Sequence, residues 1–364
     1  MKRWFLPAVL AVLLLDATAV VQAREKTPAQ AGEKVPATAG ESVLTQAARE
    51  QTQTYERARV REKAPDGTGC TIEKHTHVFA VKQNDTLRLD RYAMPASGGV
   101  TRPCMVFVFG GGFVSGRRDD PNFRSFFDYY VQKGFVVVSI DYRLGMKQAI
   151  ASGTRDRDSL AAAMATSIAM AAEDLCDATA CICAHAAEWG IDTSRVVTCG
   201  SSAGAITVLT GEYGRCNGRP EARRIPEGFR YAGIIAFAGA ICEKGDLHWE
   251  QSPAPMLLFH GDADRNVPYD KVTYEGLALC GSRHIAQSLT EHNNPHWFYS
   301  VADTNHSMAW RPMQENRDEI DTFLEKLVFE RQPLILETRV RPLDAEPQPS
   351  EFTLSDYLET NYGH

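Results

Sequence analysis

The apolar run Arg195-Val196-Val197-Thr198-Cys199 leads straight into Gly200-Ser201-Ser202-Ala203-Gly204, and that turn opens the helix-forming stretch Ala203–Leu209. Strand, sharp turn and helix in immediate succession are how a serine is lifted to the apex of a strained connection. Its hydroxyl is then exposed, and the flanking glycines let neighbouring chain pass close by. Ser202 is the serine at that apex and the candidate nucleophile. By composition alone Gly-x-Ser-x-Gly arises by accident in about one chain in ten of this length, so the remaining segments have to decide.

A serine hydroxyl is a weak nucleophile at neutral pH. It needs a histidine base, a carboxylate to orient that base, and donors for the oxyanion that develops. Pro255–His260 reads as a buried parallel strand ending in Gly261-Asp262-Ala263-Asp264-Arg265-Asn266-Val267-Pro268, which puts Asp264 in the loop at the strand's carboxyl end. The next strand-like run, His296–Val301, is followed by Ala302-Asp303-Thr304-Asn305-His306. Ser202, Asp264 and His306 thus follow one another at the ends of successive strand regions, the order a nucleophile-elbow fold requires. Asp262 is the second candidate for the acid. His260 and His296 fit the base less well, because one closes a strand and the other precedes one. Upstream, the apolar strand Cys104–Phe109 runs into Gly110-Gly111-Gly112-Phe113. The N–H groups of Gly111, Gly112 and Ala203 are the expected oxyanion donors, and losing one such donor costs about 3 kcal/mol of transition-state stabilisation.

With these residues in place, the chain resembles the α/β-hydrolase superfamily, in its secreted carboxylesterase and hormone-sensitive-lipase-like branch. The resemblance runs from about Thr71 to Leu327. It rests on Phe109-Gly110-Gly111-Gly112-Phe113, Asp141-Tyr142-Arg143, the elbow Gly200–Gly204, His260-Gly261-x-x-Asp264-x-x-Val267-Pro268, and Asn305-His306. It implies an α/β-hydrolase fold, a mostly parallel central sheet with helices on both faces and no large cap domain. It also implies a serine esterase that needs no cofactor or metal. Phe109 stands where the family usually has a histidine that supports the loop.

The 364 residues accommodate one catalytic domain, and the formal charge of -7 argues against a nucleic-acid partner. Residues 1–23 read as a signal peptide: Lys2 and Arg3, an apolar stretch Trp4–Leu15, then small residues ending at Ala23. The expected location is therefore outside the cytoplasm, periplasmic or extracellular, with no stable membrane insertion after cleavage. Residues 24–67 read as a poorly ordered linker, 68–330 as the catalytic domain and 331–364 as a peripheral extension. Nine cysteines permit at most four bridges. Cys176, Cys216, Cys242 and Cys280 are candidates for bridging, and Cys199 is expected buried and free. Cys181-x-Cys183 with His185 matches no ordinary zinc spacing.

A period-two pattern from Ile72 to Tyr92 predicts an antiparallel hairpin at the sheet edge, with His75 and His77 as surface residues. Helices are expected over 122–132, 159–188, 203–213 and 318–330, the last docking Ile320, Phe323, Leu324 and Leu327 on the sheet. Fewer than twenty residues separate the strands at 234–238 and 256–259, which predicts an open site. Phe113, Trp249 and Trp310 are the candidate wall residues, and Arg117 and Arg118 read as solvated. The expected reaction is hydrolysis of a small-molecule or carbohydrate-linked ester, acetyl or feruloyl among the possibilities, through an acyl-enzyme. Activity should rise with pH as the imidazole loses its proton, about 6.5 for an unperturbed histidine. A serine peptidase of the same superfamily and a non-catalytic binding protein on this fold are the competing readings.

Overall fold

The computed structural model describes residues 60–63 and 71–362, apart from 83–84, 96–98, 155 and 345. The stretch read as a signal peptide and most of the stretch read as a linker lie outside the described residues. In chain order the elements are β1 (Val60–Lys63), β2 (Thr71–Lys82), β3 (Asp85–Ala93), β4 (Arg102–Val108), α1 (Arg124–Gln132), β5 (Val136–Ile140), α2 (Gly145–Ala151), α3 (Arg157–Ala184), α4 (Ala186–Trp189), β6 (Ile191–Ser201) and α5 (Ala203–Cys216). There follow β7 (Gly233–Phe237), β8 (Ala240–Lys244), β9 (Met256–Gly261), β10 (Lys271–Tyr274), β11 (Leu277–Gly281), α6 (Ser282–Glu291), β12 (His296–Val301), α7 (Pro312–Glu315), α8 (Arg317–Phe323), β13 (Ile335–Val340) and α9 (Leu354–Tyr362).

Ten strands form one sheet in the order β1-β2-β3-β5-β4-β6-β7-β9-β12-β13. The pairs from β5 to β13 are parallel, and β1, β2 and β3 extend the sheet by antiparallel pairing. The central strands β4, β5, β7 and β9 are continuous apolar runs, as strands covered on both faces must be: Met105–Val108, Val136–Ile140, Gly233–Phe237 and Met256–Gly261 are buried throughout. All the parallel strands end on one rim, so the loops leaving β4, β6, β9 and β12 open on the same side. The order reverses between β5-β4 and β6, and such a reversal leaves a crevice at the strands' carboxyl ends.

The hairpin at the antiparallel side is present, but neither histidine is a plain surface residue. His77 lies against Trp189 with ring centroids 4.7 Å apart, and His75 is half-buried. Within the stretch read as linker, Val60–Lys63 pairs with Thr71–Lys74. A second sheet of three strands, β10-β11-β8, was not anticipated. Its strands are four to five residues long, too short for a periodic pattern to stand out. The helix expected over 318–330 is α8 followed by a π-helical turn at Leu324–Phe329, and its four apolar residues are buried as anticipated. All eight described cysteines are free thiols, so no bridge joins Cys176, Cys216, Cys242 and Cys280. Cys199 is buried and free, as expected. Burial pushes the thiols of Cys242 and Cys280 up to about 12, so both are protonated and inert.

Candidate active site

The turn after β6 is dictated by contact distances. Ser202 has φ 52° and ψ -118°, a region costly for any residue with a side chain and held only where the surroundings impose it. Here Ser202 donates its N–H to the Phe237 carbonyl at 2.9 Å. Both flanking glycines are obligatory. A Cβ on Gly200 would stand 2.3 Å from the Gly204 carbonyl oxygen, and one on Gly204 would stand 2.0 Å from that of Val108. The neighbouring Ser201 is buried, and its Oγ donates to the Ala309 carbonyl at 2.7 Å. It therefore ties the elbow to the histidine loop, and only Ser202 of the two serines faces the base.

Gly261 lets the loop after β9 press against the loop after β12, since a Cβ there would lie 2.1 Å from the Thr304 carbonyl oxygen. In this packing His306 Nε2 lies 2.8 Å from Ser202 Oγ, and His306 Nδ1 lies 2.7 Å from Asp264 Oδ2. Facing a carboxylate, Nδ1 carries the hydrogen, which leaves Nε2 to accept from the serine hydroxyl. Asn305 fixes the start of the turn that carries His306 by accepting the Ser307 N–H at 3.0 Å. Asp264 is 3% exposed, and its Oδ1 accepts the N–H groups of Asn266 and Val267 at 2.8 and 3.0 Å.

Burial alone would raise the Asp264 carboxyl, but hydrogen bonds from His260 and His306 outweigh it and hold the group well below the usual carboxylate range. Asp264 therefore stabilises the folded state in full above the unfolded carboxyl pKa of about 3.9. That contribution is lost as the pH falls below this value towards the folded one. Asp262, the other candidate acid, turns away and accepts the Asp303 N–H at 2.7 Å.

One participant escaped the reading of the sequence. His260 is fully buried, with Nε2 3.3 Å from Asp264 Oδ2 and 3.2 Å from the Val267 carbonyl oxygen. Both neighbours are acceptors, so Nε2 carries the hydrogen, and Nδ1 accepts from Ser282 Oγ at 2.8 Å. His260 is a second donor to the same carboxylate and holds it from behind. Its spacing of four residues before Asp264, at a strand end, was the available signal.

The glycine turn after β4 lies beside the elbow. Gly111 and Gly112 have φ 118° and 61°, positive values that favour glycine, and the Gly111 Cβ position is filled by the Ser115 carbonyl. Ala203 is the first residue of α5, where the N–H has no partner within the helix. Phe109, in the place of the usual histidine, stacks on Tyr142 with centroids 4.5 Å apart, and Tyr142 donates its hydroxyl hydrogen to the Phe109 carbonyl at 3.0 Å. An aromatic stack thus supports the loop.

A cavity of about 720 Å³ opens over Ser202, His306 and Gly110–Gly112. Val114, Phe123, Phe126 and Met313 make it apolar, while Arg117, Asp120, Asn122 and Gln314 supply polar groups. Trp310 lines it as expected and is 53% exposed, 6.4 Å from the His306 ring. Phe113 and Trp249 do not. Phe113 is 0% exposed and packs edge-on against Tyr142, its φ of 59° turning the side chain into the core. Trp249 is 7% exposed, packs on Tyr213 and donates to Ser288 Oγ at 3.1 Å. Arg118 is not solvated either, being held between Asp90 and Asp141 at 3.1 and 2.9 Å. Arg117 is exposed and paired with Asp119 at 2.7 Å. The cavity is bounded also by Thr360 and Asn361 of α9, so part of the C-terminal extension, expected to be peripheral, reaches the site.

The sequence model of the BD-FAE family matches residues 89–215, the span from β3 to the end of α5 that contains the glycine turn and the elbow. No curated protein matches the chain by sequence. Among solved structures, esterase 2 of the planctomycete Thermogutta terrifontis with propionate bound is similar at a TM-score of 0.50 and 22% identity, covering 72% of this chain and 96% of that one. The butyrate-bound form gives a TM-score of 0.50 and 22% identity over 72% of this chain and 95% of that one. The strand order, the elbow and these likenesses give the chain the α/β-hydrolase fold. The solved structures it resembles in that fold are esterases.

Proposed function

We propose that the protein is a serine carboxylic-ester hydrolase working through an acyl-enzyme. The observation that carries this reading is the continuous relay from Ser202 Oγ through His306 to Asp264, at 2.8 and 2.7 Å, opening onto the cavity. As Ser202 Oγ attacks the ester carbonyl carbon, His306 Nε2 takes its proton. Asp264 stabilises the imidazolium, and the N–H groups of Gly111, Gly112 and Ala203 receive the oxyanion. His306 returns the proton to the departing alcohol. Water then attacks the acyl-enzyme with the same base assisting, and the acid is released. Attack needs the imidazole neutral, so activity falls as the pH is lowered and the base is protonated.

A cavity lined by both apolar and polar side chains suits a short or aromatic acyl group attached to a polar alcohol. The exposed ring of Trp310 offers a stacking surface of the kind that binds a sugar face. We therefore favour acetylated or feruloylated carbohydrate among the ester classes. The neighbouring structures with propionate and butyrate bound support short acyl groups for this fold. Turnover of a panel of aryl esters graded by acyl length, beside acetylated and feruloylated oligosaccharides, tests the reading together with labelling by a serine-directed phosphonate. The expected outcome is a label on the peptide containing Ser202 and hydrolysis of short-acyl esters. Cleavage of peptide amides without ester turnover would favour a peptidase, and an unlabelled, inactive protein a binding role.

His260 is expected to matter through Asp264. His260→Phe removes the donor while keeping a ring in the buried space. Loss of a hydrogen bond to a charged group, about 1.5–3 kcal/mol, corresponds to a fall in kcat of about 10- to 100-fold, with KM little changed. Steady-state kinetics on a short aryl ester read the split.

A further inference from the structure

We infer that residues 341–362 are a specificity element, carried over the rim and fastened to the acid loop so that Thr360 and Asn361 form one wall of the cavity and limit the bulk of the ester admitted. The inference rests on the serine-hydrolase reading above. Its starting point is β13, which pairs parallel to β12 with Val340 beside Val301. The chain therefore leaves the sheet on the rim where the loops of Asp264 and His306 stand. It crosses the histidine loop with Gln348 N–H on Asp303 Oδ1 at 3.2 Å. Thr353 and Asp356 then cap α9 reciprocally: Asp356 Oδ2 accepts the Thr353 N–H at 2.8 Å, and Thr353 Oγ1 accepts the Asp356 N–H at 3.3 Å. This is the local signal that starts a helix.

Three contacts fix where the helix lands. Tyr357 is 1% exposed, and burying an aromatic side chain of that size favours the docked state. Asp356 pairs with Arg265. Asn361 Nδ2 donates to the Asn266 carbonyl at 2.8 Å, and Asn266 Nδ2 faces Asn361 Oδ1 at 3.4 Å. Arg265 and Asn266 are the two residues that follow Asp264, so the wall is referenced to the acid itself. A tail that served only to cover the sheet would not need its last turn in the same cavity as Ser202.

The test compares kcat/KM, per phosphonate-reactive site, for a small aryl acetate and for bulky esters enlarged on the acyl or on the alcohol side. Deleting residues 343–364 leaves β13 in place and is expected to raise the bulky-to-small ratio by about tenfold or more on one side. Thr360→Trp, which adds volume to the wall, is expected to lower the same ratio by about tenfold, the scale on which pocket shape discriminates. If the truncated protein does not fold, Thr360→Trp alone decides. Ratios within about twofold of wild type in every folded, labelled variant would overturn the inference. Wild-type protein that takes no label would refute the hydrolase reading and this one with it.

Discussion

Replacing Ser202 by alanine is expected to abolish both phosphonate labelling and acyl transfer, lowering kcat by a factor on the order of 10⁴ to 10⁶. The size of the effect follows from what remains. The proposed oxyanion donors Gly111, Gly112 and Ala203 are untouched by the change, and His306 still holds Asp264, but no atom is left for the acyl group to bond to. Water delivered by the histidine is a poor substitute because nothing holds it in line. The fold should hardly notice, since the described contact of the Ser202 side chain is the one to His306. A stability change within about 1 kcal/mol is expected. Ser201→Ala is the matching control. Ser201 Oγ touches the Ala309 carbonyl rather than the base, so the label should persist. Mass spectrometry of the phosphonate adduct checks both variants, and a label that survives Ser202→Ala at full rate would overturn Ser202 as the nucleophile.

The elbow, the glycine turn and the order of the two loops were legible because each is a local pattern: apolar runs, glycines where backbones nearly touch, and polar residues just past a strand end. The contacts that Gly200, Gly204 and Gly261 make room for explain why glycine is required there. What the sequence hid depends on directions in space. Phe113 follows three glycines and reads as a mouth residue, yet its own positive φ sends the ring inward. Trp249 falls in a loop, and only the fold brings Tyr213 and Ser288 to it. The tail concealed most. Leu336, Thr338 and Val340 alternate with exposed residues as an edge strand does, but the surrounding prolines and charges masked the pattern. No local rule says that a helix nearly a hundred residues after Asp264 returns to the loop that carries it. His260 reads as the end of a strand, which it is, and its second role comes from the carboxylate four residues on.

Asp264→Asn and Asp262→Asn, measured in parallel, should separate by about three orders of magnitude. Asp264 Oδ2 receives the His306 Nδ1 hydrogen, while Oδ1 is already occupied by two backbone N–H groups. An asparagine that keeps its oxygen toward those backbone donors must turn its NH₂ toward His306. The imidazole then accepts at Nδ1 and carries its hydrogen at Nε2, so it cannot take the proton from Ser202. A loss of about 10⁴ in kcat accompanies that wrong tautomer in sites of this geometry. Asp262 only accepts the Asp303 N–H, which an asparagine oxygen accepts equally well, so its variant should stay within about tenfold of wild type. A second readout has a definite sign. Because the Asp264 carboxyl is held well below the usual range, the wild-type protein's stability advantage over Asp264→Asn is complete at neutral pH. It shrinks as the pH drops below about 4. Denaturant titrations at neutral pH and near the unfolded carboxyl pKa measure it, and an advantage that grew on acidification would contradict an ionised acid behind His306.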